Sequence, residues 1–401
     1  MEKKSPLVII FLTVFIDLLG FGIVMPVLPF YAEKYGATGW TVGLLLSSYS
    51  LMQLIFSPFW GGLSDRIGRR PVILISLFGS TVSYLIFGLA DTLPILFISR
   101  LFAGLFGGNI SASQAYISDS TTPQNRARGM GLIGAAFGLG FVLGPLFGGF
   151  FSTFGPRTAP LLASAICGTN FLVAIFRLPE SRKPDSRPRG NALKMENIRA
   201  VFSNRRLALL ILISFVVTAC FSIMEATFAL FSERKFGYTA VETGYIFGFV
   251  GIVMAAIQGG AIGFLARKLG ENRLIVLGTA LMIGGLFLIP LAGTIFLLLP
   301  VLVILAIGLA VNNPSLTSLI SRYSDPARVG GTMGVNQAMS SLARVVGPGI
   351  GGFVFDTRGI NAPYFTSAII LGIALVLSVI LLNQPEPTGK QASSGDKRRS
   401  A

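Results

Sequence analysis

The sequence predicts an all-α membrane protein of twelve transmembrane helices in two pseudo-symmetric six-helix bundles. Three observations carry that prediction. Of 401 residues, 52% are hydrophobic and 12% charged, and the mean hydropathy is +0.73. A water-soluble domain carries about 25% charged residues, so soluble domains of this total length would lack a polar skin. The apolar residues fall into runs of about 20, the length that crosses a bilayer as a helix. The second half of the chain also repeats landmarks of the first. Pro123, Met130, Gly131, Gly144, Pro145, Gly148 and Gly149 recur 203 residues later as Pro326, Met333, Gly334, Gly347, Pro348, Gly351 and Gly352. Gly36 and Gly43 recur at a shift of 201 as Gly237 and Gly244.

Taken in order, the first six spans lie near 7–30, 41–62, 71–90, 94–117, 126–151 and 157–177. The second six lie near 205–231, 240–265, 273–292, 295–320, 328–353 and 360–382. The repeat sets the organisation: bundles at 1–177 and 205–382, a linker at 178–204, and a polar, basic tail at 383–401 expected to be disordered. Each half has an even number of spans, so the two are parallel repeats about an axis along the membrane normal. That arrangement puts a binding site near the midplane between rocking bundles. The first span is too long for a signal-peptide core, contains Asp17 and lacks a small-residue cleavage site, so it is expected to be retained.

The net charge of +15 would suggest nucleic acid in a soluble protein, but it sits in loops. Lys3 and Lys4 precede the first span; Arg66, Arg69 and Arg70 follow the second; Arg126 and Arg128 follow the fourth; Arg267, Lys268 and Arg273 follow the eighth. The stretch from Arg177 to Arg206 holds nine basic and three acidic residues. The alternate loops are charge-poor or balanced, with Glu33 beside Lys34, Asp91 alone, Glu233 to Glu242 mixed, and Asp356 with Arg358. Basic loops stay in the cytoplasm, so both termini are expected inside, at the cell membrane (the inner one in a Gram-negative bacterium). The expected partners are a small-molecule substrate, protons and the bilayer, with no nucleic acid, no cofactor and a monomer as working unit.

Composition also excludes chemistry. With no histidine, the chain builds no Ser-His-Asp triad, no paired-histidine metal site and no imidazole shuttle, so a proton carrier must be a carboxylate. Cys167 and Cys220 sit inside apolar runs and read as small core residues. Gly129 to Gly134 spells G-x-G-x-x-G, but no strand precedes it and no acid follows until Glu180, so it is no dinucleotide site. Asn109-Ile-Ser111 falls within the fourth span rather than on a surface loop. No G-x-x-x-x-G-K-[ST] loop exists to drive a nucleotide-powered pump.

The loop Gly61-Gly-Leu-Ser-Asp65-Arg66-Ile-Gly68-Arg69-Arg70 is the most distinctive stretch. Its glycines permit a tight turn, Asp65 can face a helix N-terminus, and its arginines can pair with Asp119, for which Arg126 and Arg128 also compete. This loop, together with Gly131, Gly140, Gly144, Pro145, Gly148 and Gly149 in the fifth span, resembles signatures of the major facilitator superfamily and of its drug-antiporter branch. Arg100-x-x-x-Gly104 is similar to a third signature. The resemblance is closest to the tetracycline-efflux-like group: Asp17-Leu-Leu-Gly20-Phe-Gly22 through Pro26 and Pro29 looks like that group's first helix, and Leu178-Pro179-Glu180-Ser181 like the end of its first half. It implies the major facilitator fold, alternating access and proton-linked efflux, with Gly61, Asp65, Arg66, Gly68, Arg69, Arg70 and Asp119 as a cytoplasmic gate against the second bundle. Where tetracycline pumps place Asp before Tyr in the third helix this chain has Ser83-Tyr84, and the group's helix-8 histidine is absent. The resemblance leaves the substrate open.

Ionisable residues inside spans are functional candidates because each costs a few kcal/mol to insert. Asp17 lies about 15 Å from the inner end of its span, Arg100 and Glu225 about 10 Å from the outer face, and Arg344 near the middle of the eleventh span. They can neutralise one another, and a carboxyl in a dry cavity can hold a proton until access switches. Asp17 and Glu225 are the candidate proton carriers, with Glu225 also able to recognise cationic substrates. Gln53, Ser83, Tyr84, Asn109, Gln114, Asn170, Gln258, Asn312 and Asn313 could contact substrate in a pocket otherwise lined by Phe, Met and Tyr. Three readings follow: proton-coupled efflux of small amphipathic or lipophilic molecules of multidrug or tetracycline-like type, proton-independent facilitation or uptake, and a non-transporting receptor. An enzyme is disfavoured, since no nucleophile stands with a base or metal set.

Overall fold

The computed structural model describes residues 6–107, 109–120, 123–181, 195–325 and 328–383. Among them the chain is helical throughout, without a strand. The first half runs α1 (Pro6–Glu33), α2 (Gly39–Ile67), α3 (Arg69–Leu89), α4 (Leu93–Phe106), α5 (Asn109–Ser120), α6 (Pro123–Ser152) and α7 (Thr158–Arg177). A short α8 (Met195–Ser203) lies in the expected linker and packs on α9 and α14. The second half runs α9 (Arg205–Phe236), α10 (Ala240–Ala256), α11 (Ile262–Leu269), α12 (Glu271–Leu288), α13 (Ile295–Tyr323), α14 (Val329–Arg358) and α15 (Ala362–Leu382). Ten helices are long and apolar enough to cross a membrane, counting α10 and α11 together; the shorter apolar helices Leu93–Phe106 and Gly138–Ser152 fall in the two remaining expected spans. The expected landmarks Lys3, Lys4 and Pro326 and the tail from 384 onward lie outside the described residues.

Two spans differ from the uninterrupted helices expected. The fourth ends as α4 at Phe106 and restarts as α5 at Asn109, where Gly107 and the following Gly and Asn have low helix propensity. The eighth carries a π turn at Ile257–Ala261 between α10 and α11, centred on Gln258-Gly259-Gly260. Helix ends follow local chemistry: Thr239 and Glu242 form a capping box at α10, Asn204 caps α9, and Gly68 (φ +103°) and Gly270 (φ +80°) make one-residue links into α3 and α12.

The two halves use the same packing. α1 lies on α6 as α9 lies on α14, α3 on α7 as α12 on α15, and α2 on α4 as α10 on α13. The halves meet through α2 against α14 and α10 against α6. Residues 67–69, 120, 123, 177–181 and 195–205 mark one end of the molecule, the linker end; residues 33–39, 152–158, 236–240 and 358–362 mark the far end. At the far end the halves are locked. A Cβ on Gly43 would strike the Pro348 carbonyl and one on Gly352 the Gly39 carbonyl, while one on Gly244 would meet Gly149 Cα at 2.7 Å. Asp356 accepts from the backbone N–H of Gly39 (3.0 Å) and Trp40 (2.7 Å), and Arg234 pairs with Glu33 at 3.3 Å. At the linker end Gly61 on α2 and Gly259, Gly260 and Gly263 near α11 have open space beside them.

Candidate functional site

Asp17 is buried on α1 and accepts a hydrogen bond from Ser80 Oγ on α3 at 3.2 Å. It comes this deep because its helix is held close: Gly20 leaves room for the Tyr84 ring, and Gly22 lies on Gly144. Arg100 on α4 is buried, its guanidinium 4.6 Å from the Phe87 ring centroid and 5.8 Å from that of Tyr84. Its Nε approaches Ser99 Oγ at 3.4 Å, and its Nη2 has no hydrogen-bond partner among the described residues. Glu225 on α9 and Arg344 on α14 are half-buried and within electrostatic reach of each other without forming a close ion pair. Arg344 Nη2 donates to Ser341 Oγ at 3.2 Å. Tyr49 on α2 sits within electrostatic reach of Asp17, Arg100 and Arg344 together, at the meeting point of the two halves.

Glu225 is the sole charged residue in the wall of an apolar cavity that has about 30 Å³ of room for water centres, within about 510 Å³ of non-atom space that includes open solvent. Met25, Phe141 and Pro145 face it from α1 and α6, Phe221, Met224 and Phe228 from α9, and Ile246, Phe247, Val250, Gly251 and Met254 from α10. Leu302 and Leu305 of α13 complete it. Apolar and aromatic walls around one acid suit a lipophilic cation: dispersion and aromatic faces hold the body, and the carboxylate holds the charge. Nothing in the sequence separated these residues from the lipid-facing apolar ones. Met25 and Phe141 have no local signal, and only Glu225 marked the place.

None of the polar substrate candidates lines this cavity. Gln53 Nε2 donates to the Gly107 carbonyl (3.3 Å) and approaches the Tyr49 hydroxyl (3.4 Å), spanning α2 to the end of α4. Ser83 is buried and bonded to the Gly79 carbonyl at 2.6 Å, while Tyr84 packs on Gly20 and Arg100. Asn109 begins α5. Gln114, Gln258 and Asn313 are exposed. Asn312 is buried and donates to Thr279 Oγ1 at 2.9 Å. Asn170 is buried on α7, away from the cavity, with its Nδ2 unpartnered.

The stretch 61–70, expected as a loop, is instead the last turns of α2, the single link residue Gly68 and the start of α3, and it forms a charge cluster within the first half. Arg69 is buried: Nη2 meets Asp65 at 2.7 Å, Nε meets Asp119 at 3.0 Å, and Nη1 donates to Ser64 Oγ at 2.6 Å. Arg66 is exposed, and Arg70 Nη2 donates to the Ile175 carbonyl at 2.7 Å. The carboxylate of Glu180 accepts from the backbone N–H of Arg69 (3.0 Å) and Arg70 (3.1 Å), capping α3 beside Gly68. Glu180 was visible in the sequence only as part of a resemblance, and its role needed the structure. In the second half Glu271 and Arg322 form the equivalent pair at 3.4 Å with the signs exchanged. The fifth-span glycines divide by face: Gly140, Gly144 and Gly148 receive α1 at Leu18, Gly22 and Ile23, while Gly149 receives α10. Gly131 and Pro145 lie on the same helix, α6, with Pro145 in the cavity wall.

The family model of the Major Facilitator Superfamily matches residues 10–323 and 261–401. The chain is 33% identical over 376 residues to the class E tetracycline resistance protein of Escherichia coli, covering 92% of each chain. It is 31% identical to multidrug resistance protein 2 of Bacillus subtilis (strain 168), over 94% of this chain and 96% of that one. Among solved structures, the human organic anion transporter MFSD10 is 27% identical and superposes with a TM-score of 0.72, covering 94% of this chain and 100% of that one. The nucleoside transporter NupG, 16% identical with a TM-score of 0.76 over 95% of this chain and 98% of that one, shares the fold.

Proposed function

The chain belongs to the major facilitator superfamily, and from that premise we propose that it exports small amphipathic or lipophilic molecules, cations foremost, in exchange for protons. It is a multi-pass membrane protein and a carrier of small molecules rather than an enzyme. The observation that carries the proposal is the apolar, aromatic cavity with Glu225 as its one charge. The tetracycline and multidrug resistance relatives support export of drug-like molecules.

In this reading the halves 1–177 and 205–382 rock about the cavity, and the segment 178–204 joins them on the cytoplasmic side. The linker end faces the cytoplasm, with both termini, so the described conformation opens inward and is closed outside by Asp356, Glu33 and Arg234. Opening outward must break those contacts and bring the Asp65, Arg69 and Asp119 cluster against the second half. Asp17 carries the coupling proton and Glu225 reads the substrate charge. One chain holds the whole cavity, so the monomer is the working unit within the bilayer.

The experiment is flux in proteoliposomes, with and without an imposed pH difference, over a lipophilic cation, a tetracycline, an organic anion and a nucleoside. The expected result is pH-gradient-driven accumulation of the cation. Equal flux with and without the gradient would make the protein a facilitator, and accumulation of the anion alone would overturn the cation assignment.

A further inference from the structure

Between Asp17 and the linker end the first half contains a layer of buried polar groups that packing does not explain. Thr13, Ser76, Ser113 and Asn170, from α1, α3, α5 and α7, are at most 4% exposed. The three hydroxyls and Asn170 Nδ2 have no hydrogen-bond partner among the described residues. Around them is an apolar cluster that includes Val14, Val72, Ile73, Leu77 and Ala112.

Three hydrogen bonds put the four groups at one depth. Ser80 to Asp17 sets α3 against α1, and Ser76 and Thr13 each lie four residues nearer the linker end. Ser164 to the Thr81 carbonyl sets α7 against α3, which runs the opposite way. Six residues on from Ser164 is Asn170, and five back from Thr81 is Ser76. Arg69 to Asp119 sets α5 against α3, and Ser113 and Ser76 lie six and seven residues deeper than that pair. α3 packs on α5 and α7, and α1 on the same two helices, while α5 and α7 stand on opposite sides of that pair. At 1.5 Å per residue the layer is about 6 Å from Asp17 and about 10 Å from the Arg69–Asp119 pair.

Buried polar groups without partners are costly, and internal water is the partner that satisfies such groups where space admits it. We propose that this layer binds water and gives Asp17 its own proton path to the linker end, inside the first half and apart from the cavity at Glu225. The inference rests on reading Asp17 as the proton carrier. In the step, the Asp17 O–H bond breaks, the proton passes to a layer water, and the carboxylate left behind is held by the Ser80 hydroxyl. The excess proton then moves along water and the Thr13, Ser76 and Ser113 hydroxyls, each O–H breaking as the next forms, and leaves on a water near Arg69 and Asp119. Asn170 orders water without relaying. Titratable groups within electrostatic reach of Asp17 include Tyr49, Tyr84 and Cys167. On α3 and α7, Tyr84 and Cys167 lie on the far-end side of Ser80 and Asn170, off this path.

The test compares wild type, Asp17→Asn and a layer variant combining Thr13→Val, Ser76→Ala, Ser113→Ala and Asn170→Leu in proteoliposomes. The layer variant should lose about tenfold or more of its pH-gradient-driven rate, while counterflow of a lipophilic cation at equal pH stays at the wild-type level. A wild-type gradient-driven rate in the layer variant overturns the path while leaving Asp17 in its role if Asp17→Asn is uncoupled. Coupling that survives in Asp17→Asn removes the underlying reading and the path with it. Thermal unfolding of the single variants Thr13→Val and Ser76→Ala is the second readout. A wet layer loses hydrogen bonds, so the melting temperature stays level or falls; a rise shows a dry layer and overturns the proposal.

Discussion

α1 and α9 are the same helix of the repeat, and each keeps its one deep acid at a different height. The packing aligns the two helices at a shift of 200, which sets Asp17 of α1 against Val217 of α9, and Glu225 of α9 against Met25 of α1. Both helices meet their neighbour in the same way: Gly144 receives α1 at Leu19 and Gly22 and Gly148 at Ile23, and Gly347 receives α9 at Ala219 and Ser222 and Gly351 at Ile223. Backbone contact at that distance admits only glycine, so it survived duplication. Side-chain charge was under no such constraint and diverged. Asp17 now sits among polar groups inside its own half, while Glu225 faces the cavity between the halves. An acid that a substrate cannot reach and an acid that it must pass suit different tasks.

The largest effect that would sharpen this contrast is in the double variant Asp17→Asn, Glu225→Gln, which should neither accumulate a lipophilic cation on a pH gradient nor bind it with wild-type affinity. Normal accumulation there would mean that another ion or another group drives transport. Glu225→Gln alone should weaken binding of a lipophilic cation by about tenfold or more, measured by calorimetry, and leave a neutral analogue within about twofold. Its pH dependence has a definite sign. A proton on Glu225 competes with the cation, so wild-type binding weakens as pH falls, and the Gln variant should be flat. A slope retained in the variant would move the competition to another acid.

The next contrast lies between the sign-exchanged ion pairs. Arg69→Ala removes the guanidinium that Asp65 and Asp119 share, a side chain only 4% exposed, and should cost about 3 kcal/mol in detergent unfolding. Gly144→Ala and Gly347→Ala, whose new Cβ atoms would meet Gly22 Cα at 2.6 Å and the Ala219 carbonyl at 2.7 Å, should each cost about 2 kcal/mol. Unequal values would show that the repeat has diverged in packing as well. Arg322→Ala should cost less than about 1 kcal/mol, because Arg322 is 54% exposed in its pair with Glu271.

The features that could be read from sequence are those a backbone imposes. Twelve apolar runs at bilayer length, the glycines at 144, 148, 347 and 351, and Gly68 each answer a geometric demand that few residues meet, whereas Gly270 was found only in the structure. The cavity wall could not be read, because Met25, Phe141 and Met224 have the same hydropathy as side chains facing lipid. Gln258 and Asn313 were drawn toward the pocket by polarity alone and are exposed, and Asn312 spends its amide on Thr279. The break after Phe106 and the π turn at 257–261 interrupt spans whose apolar pattern is continuous, since Gly is neutral to hydropathy and adverse to a helix. Glu180 caps α3 from beyond the end of α7, a contact that no local pattern announces.

The claim that the proton and the substrate charge are held on different helices is tested most directly by Asp17→Asn in proteoliposomes with a lipophilic cation. The account predicts cation binding and equal-pH exchange near wild type, with no accumulation on an imposed pH difference. A variant that still concentrates the cation against its gradient would contradict it.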